Sequence, residues 1–446
     1  MLDRSTLPLL AEALARLDAG FSDLPPFAQQ LDAARVREAL FALADRLRDN
    51  YPYPHPLYAG QMLKPPHPAA RLAYALAMFL NPNNHALDGG RATSRLEREA
   101  VAELAAMVGF STHLGHLTSG GTIANLEALW VAGRLAPGRV VLASQMAHYT
   151  HERISSVLGL PFESIAVDAL GRMDVRALAA RVERGDVGCV VATLGTTSLG
   201  AVDPLHEMLP IARAHGVRVH ADAAYGGYFT LVDELAPEAR AAFAKTQEVD
   251  SFVVDPHKHG LQPYGCGCVV FRDPSVGRLY RHESPYTYFT SDELHLGEIS
   301  LECSRPGAAA AALWATHRVL PPVRGGEFAG SLASSRRAAL ALVERLRRSG
   351  DFLVPIEPEL DIVVYAPRAS SARAISALSR RVFDEAARRD LHLALVTLPT
   401  AMLGAGVEAD AETTTCLRSC LMKPEHEAYL DEITARLVAA IAATRG

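Results

Sequence analysis

The chain has 446 residues, 49% of them apolar and 21% charged, with a net charge of −6. That composition belongs to a globular protein large enough for more than one lobe. With no basic excess, nucleic acid and anionic membrane surfaces are not expected partners, and the most apolar run, 72–80, is too short to span a bilayer.

Residues 1–50 are rich in Ala, Leu and Arg, and their spacing predicts helices. No uninterrupted apolar stretch follows Met1, so a secretory signal is not expected. Six cysteines lie scattered at 189, 266, 268, 303, 416 and 420. In a chain of this length they read as reduced core thiols of a cytoplasmic protein, not as a disulfide framework. The Pro-rich aromatic segment 51–58 is predicted to be extended, because proline removes helix donors. Helices are predicted over 69–80 and 94–108, separated by a polar loop, 81–90.

From about 115 to 275, short apolar runs alternate with longer amphipathic ones. Strands are predicted at 139–143, 187–194, 216–221, 251–254 and 268–271, and helices at 122–134, 148–158, 173–183 and 204–215. Buried strands separated by helices predict an α/β fold with a mostly parallel sheet. Beyond about 320, helices at 328–349 and 370–389 alternate with strands at 361–366 and 392–397. A last helix is predicted over 424–443. The chain therefore divides into an N-terminal helical and extended segment (1–75), a large domain (76–320) and a small α+β domain (321–446).

Lysine is scarce, with four in the chain, at 64, 245, 258 and 423. Lys258 stands in Asp255-Pro256-His257-Lys258, immediately after a predicted strand. Arginine cannot form a Schiff base, so a lysine kept in an arginine-rich chain points to a needed amine. Asp222 closes another predicted strand in His220-Ala221-Asp222-Ala223-Ala224-Tyr225-Gly226-Gly227. An acid and a lysine, each closing an apolar run, are what pyridoxal phosphate chemistry requires: a pyridinium partner and an amine. Taken alone, Asp222 also reads as a helix cap.

Ser119-Gly120-Gly121-Thr122 opens a predicted helix, where free N–H groups and small residues suit an anion. By itself it reads equally as a turn and N-cap. His148 follows a strand at a helix start, where its ring could lie on a flat cofactor or simply belong to the core. The pairs His113/His116, His148/His151, His220/Asp222 and Cys266/Cys268 complete no ligand set, so no metal is expected.

In this order the motifs resemble the group II pyridoxal-phosphate-dependent amino acid decarboxylases, which share the aspartate aminotransferase (type I) fold. That group includes the aromatic-L-amino-acid, tyrosine, glutamate and aspartate decarboxylases. The resemblance is closest over 50–325. It implies that Lys258 forms the internal aldimine, that Asp222 binds the pyridine nitrogen, and that His148 and Ala224 pack the two ring faces. It implies that Gly121, Thr122 and His257 hold the phosphate, with Gly120 also at the cofactor and Thr196 near the ring. Gln61 falls in the family's substrate-lining segment. The stretch Glu302-Cys303-Ser304-Arg305-Pro306 is similar to the family's stretch after the catalytic loop, and Arg305 is counted with the substrate residues. Asn84 and His85 lie in the loop that the family pattern sets against a neighbouring subunit, which implies a homodimer with shared sites. Tyr286 or Tyr288 stands where the family carries the tyrosine that protonates the substrate carbon, with His148 or Lys258 the next candidates. Asp255 departs from relatives with asparagine there, and an unpaired carboxylate would repel a phosphate.

The implied activity is decarboxylation of an amino acid to its amine through an external aldimine and a quinonoid. A carbon–carbon lyase, an aldolase or a decarboxylating aldehyde synthase on the same fold is the alternative.

Overall fold

Seven short runs of Val, Ala, Leu and Phe pair into one sheet: β1 (Leu114–Thr118), β2 (Val140–Ser144), β3 (Phe162–Ile165), β4 (Val187–Thr193), β5 (Arg218–Asp222), β6 (Ser251–Val254) and β7 (Gly267–Phe271). The computed structural model describes residues 2, 4–25, 30–280 and 294–445. The strand order is β1-β7-β6-β5-β4-β2-β3. β7 is antiparallel to both of its neighbours, and the other pairings are parallel. All seven residues of β4 are buried, as expected of a strand covered on both faces.

The small lobe is an antiparallel sheet in the order β10-β11-β9-β8. Its strands are β8 (Phe352–Leu353), β9 (Ile362–Pro367), β10 (Ala394–Pro399) and β11 (Thr413–Cys420). Alternation in β9 divides its side chains between two cores. Ile362 and Val364 join the core of the large sheet, while Val363 and Tyr365 pack with the helices Glu327–Ser349, Ala372–Ala387 and Leu430–Arg445. Leu57 and Ala59 of the N-terminal segment are buried in that second core. The two helices nearest the N-terminus, Leu7–Ala19 and Ala33–Leu47, bury no residue. Among the described residues, no helix is long and apolar enough to cross a membrane.

Several elements differ from the sequence expectation. The helix predicted from 94 begins at Leu87, with a kink at Gly90, because the Leu87 N–H is capped by His295 Nδ1 at 3.0 Å. The last helix starts at Leu430, behind a 3-10 turn at Pro424–Tyr429. All six cysteines are free, but Cys303 is exposed and is not a core thiol.

Candidate active site

The ends of the parallel strands, where ligands of such sheets bind, converge on a cavity of about 300 Å³. Asp222 is the last residue of β5 and is buried. Its Oδ2 accepts a hydrogen bond from His151 Nε2 at 2.8 Å, and its Oδ1 accepts one from the Ala224 N–H at 3.1 Å. Burial pushes the Asp222 carboxyl up. The His151 hydrogen bond and the charges of His151 and Lys258 outweigh this and hold it below the ordinary carboxylate range. Behind this pair, His220 Nε2 lies 2.7 Å from Asn125 Oδ1 and Nδ1 lies 2.9 Å from Ser251 Oγ. Burial pushes the His220 imidazole down to about 3, so it is neutral.

β6 leads directly into Asp255 and Lys258. The Lys258 Nζ sits 2.9 Å from Asp255 Oδ2, so the carboxylate that departs from the family pattern is paired with the lysine. Asp255 Oδ1 is buried with no hydrogen-bond partner. His257 Nδ1 donates to the Cys266 carbonyl at 2.8 Å, which leaves Nε2 as an acceptor while the ring is neutral. Burial lowers the His257 pKa, with Asp255 opposing it. The third wall is the N-terminus of the helix Gly121–Leu135, whose first N–H groups have no intrahelical acceptor.

Glycine is required at two close approaches here. A Cβ on Gly121 would stand 2.7 Å from Asp255 Oδ2, and one on Gly267 would stand 2.5 Å from the Gly120 carbonyl carbon. An amine, a buried ionised carboxylate and a glycine-opened helix start around one cavity fit the donor and acceptor pattern of pyridoxal phosphate.

Gly120, Gly121, Thr122, His148, Ala224 and His257 all line this cavity together with Asp222 and Lys258. His148 Nδ1 accepts the Thr150 N–H at 3.3 Å, and burial lowers its pKa. Thr196 is fully buried, and its Oγ1 accepts the Ala201 N–H at 3.1 Å. Its neighbours Gly195 and Thr197 line the cavity in its place. Gln61 belongs to a separate hollow beside Tyr51 and Tyr58.

Asn84, His85 and Arg305 do not line the Lys258 cavity within one subunit. Asn84 is fully buried, donating to Glu97 Oε2 at 2.6 Å and accepting from Thr93 Oγ1 at 2.5 Å. Arg305 Nη1 donates to Glu97 Oε1 and to the Leu117 carbonyl, each at 2.6 Å. The His85 carbonyl accepts the Gly297 N–H at 2.9 Å. Through Glu97, which accepts the Leu117 N–H, Asn84 and Arg305 brace β1, so the polar loop has work to do inside its own subunit. Tyr286 and Tyr288 lie outside the described residues.

Two contributors escaped the sequence reading. His151 was visible only as the i+3 neighbour of His148, a spacing weighed for metal. Arg418, on β11, reaches from the small lobe, donating to the Thr197 carbonyl at 2.7 Å and to Gln61 Oε1 at 3.1 Å. Its Nε is buried and without a partner.

The family model for the pyridoxal-dependent decarboxylase conserved domain matches residues 72–368. The probable L-tyrosine/L-aspartate decarboxylase of Methanothermobacter thermautotrophicus is 32% identical over 315 residues, covering 69% of this chain and 82% of that protein. In structure the chain is similar to mouse CSAD, with a TM-score of 0.79 and 20% identity over 96% of this chain and 91% of that one. It is also similar to Oryza sativa TDC with PLP and tryptamine, with a TM-score of 0.76 and 18% identity over 98% of each chain. At these identities the structural likeness speaks to the fold.

Proposed function

The chain belongs to the pyridoxal-dependent decarboxylase family, and from that premise we propose that it converts an L-amino acid to its amine and carbon dioxide with Lys258 and Asp222 as the working pair. It is a decarboxylase whose cofactor is pyridoxal phosphate. The observation that carries the assignment of the pair is the meeting of a lysine amine and an ionised buried carboxylate in one cavity.

Bound there, pyridoxal phosphate supplies the electron sink for the bond that breaks. Asp222 holds a proton at the ring nitrogen, and His151 keeps Asp222 ionised to do so. Lys258 supplies the anchoring amine and is released from Asp255 to act. Gly120, Gly121 and Thr122 offer N–H groups and a hydroxyl to the phosphate. His257 joins them once it is protonated, a form that an incoming dianion favours. His148 and Ala224 form walls for a flat ring. Arg418, whose Nη2 reaches Gln61, offers its positive charge to a substrate carboxylate. Tyr286 or Tyr288 donates the proton that completes the amine.

The working form is a cytoplasmic homodimer. The helices Leu7–Ala19 and Ala33–Leu47 leave Leu40, Phe41 and Leu43 exposed, an apolar surface suited to a twofold partner. The test is carbon dioxide release from each of the twenty amino acids, beginning with L-tyrosine and L-aspartate, the substrates in the relative's name. Carbon dioxide with an equal amount of amine supports the reading. No release from any amino acid, or aldehyde in place of amine, refutes it.

A further inference from the structure

Behind Lys258 lies a buried polar cluster with no part in the chemistry above. Asp361 immediately precedes β9 of the small lobe and is fully buried. Its Oδ1 accepts a hydrogen bond from Tyr225 Oη at 2.6 Å, and its Oδ2 lies 3.4 Å from His259 Nε2. His259 is also fully buried. Its ring centroid stands 4.7 Å from that of Tyr225 and 5.1 Å from that of Phe229, edge-on to both. Tyr225 lines the cavity and follows Ala224, while His259 directly follows Lys258. Both His259 ring nitrogens and Asp361 Oδ2 lack a well-formed hydrogen bond.

A carboxylate is an expensive choice for this position. Burial pushes the Asp361 carboxyl up to about 6, against the Tyr225 hydrogen bond and the charge of Lys64. Burial, then Lys64 and Lys258, pushes His259 well below its ordinary value, so it is neutral. The titratable and charged groups that face Asp361 are Lys64 from the N-terminal segment, Tyr225 and His259 from the large lobe, and Cys420 from β11, with Arg418 facing Tyr225. An asparagine would fill the same space and still accept from Tyr225 without burying a charge. Packing therefore does not account for the acid.

We propose that Asp361, His259 and Tyr225 form a positioning unit, in which the small lobe's carboxylate fixes the tyrosine of the cavity wall and the imidazole beside Lys258, and so sets the lysine amine against Asp222. The carboxylate holds the Tyr225 hydroxyl away from the cavity and selects the His259 tautomer with hydrogen on Nε2. The proposal rests on Lys258 as the cofactor's anchor, which borohydride mapping tests separately.

The experiment uses Asp361→Asn, Tyr225→Phe and the double variant, stripped of cofactor and then titrated with pyridoxal phosphate by absorbance. An acid whose folded pKa is raised stabilises the fold fully below its unfolded value, near 4, and loses that contribution as pH rises through about 6. The melting temperature of cofactor-free Asp361→Asn should therefore match or exceed that of the wild type at pH 7.5, by a margin that widens as pH rises through about 6. Affinity for pyridoxal phosphate should nevertheless fall at least tenfold in each single variant, with the double variant no worse than the weaker single. Wild-type affinity in Asp361→Asn overturns the proposal. So does affinity lost only in step with a lower melting temperature at pH 7.5, which would make the acid a structural part. Additive losses in the double variant break the unit apart.

Discussion

Replacing His151 with phenylalanine removes the N–H that meets Asp222 Oδ2 at 2.8 Å and keeps a ring in a fully buried position. A buried hydrogen bond to a charged group is worth about 2–3 kcal/mol, and about 1.4 kcal/mol corresponds to one pKa unit. Loss of this bond should thus raise the Asp222 pKa by about 1.5–2 units, with burial then less opposed. A depressed folded pKa stabilises the fold above the unfolded value of about 4 and loses that contribution as pH falls through the folded value. His151→Phe should therefore unfold more easily in urea at pH 7, by about 2–3 kcal/mol, with the deficit shrinking only as pH falls below about 4. The acid limb of carbon dioxide release against pH should move upward by about 1–2 units. His151→Gln, which keeps an N–H donor, should recover part of both effects. An unmoved acid limb, with a stability deficit that persists undiminished below about pH 4, would show that His151 packs against Asp222 without setting its charge.

Borohydride reduction of the cofactor-loaded protein, followed by peptide mapping, should place the adduct on Lys258; an adduct on Lys64, Lys245 or Lys423 would refute the anchor. Gly267→Ala drives a Cβ to 2.5 Å from the Gly120 carbonyl carbon, and overpacking of this kind costs about 1–3 kcal/mol. Its affinity for pyridoxal phosphate should drop about tenfold or more while the lysine remains reactive, and unchanged affinity would remove the helix start from the phosphate site. Arg418→Lys should raise the substrate KM about tenfold with cofactor affinity intact; a change in cofactor affinity instead would place Arg418 on the cofactor.

The parts of this fold that could be read from sequence are those where local chemistry and tertiary environment agree. Ser251–Val254 is bounded by Asp250 and by Asp255-Pro256, and the strand lies within those bounds. β11 was missed because its threonines and Arg418 hide the alternation. Arg418 is polar yet buried, hydrogen-bonded to the Thr197 carbonyl and to Gln61, partners more than 200 residues away. β1 carries Gly115 and His116, poor strand signals, and His116 is tolerated because Glu127 faces it at 3.1 Å inside the core. Asn84 and Arg305 show the limit most clearly. A polar residue satisfied by another buried polar residue has the same sequence signature as one waiting for a ligand, and only the Glu97 contacts distinguish them. Asp222 and Lys258 were legible because each ends an apolar run where a charge serves no packing purpose.

In the large sheet the one strand antiparallel to both of its neighbours, β7, closes the site. Thr118 pairs with Gly267, 149 positions later (267 − 118), so the glycine-opened helix start and the lysine turn become neighbours only when β7 seats between β1 and β6. Closing so long a loop is entropically slow, and contacts this distant in sequence form late in folding. A chain still emerging from the ribosome therefore has Gly120 and Gly121 long before it has Lys258. Refolding followed at the cofactor's absorbance should therefore read insertion of one strand and closure of the sheet rather than formation of its helices.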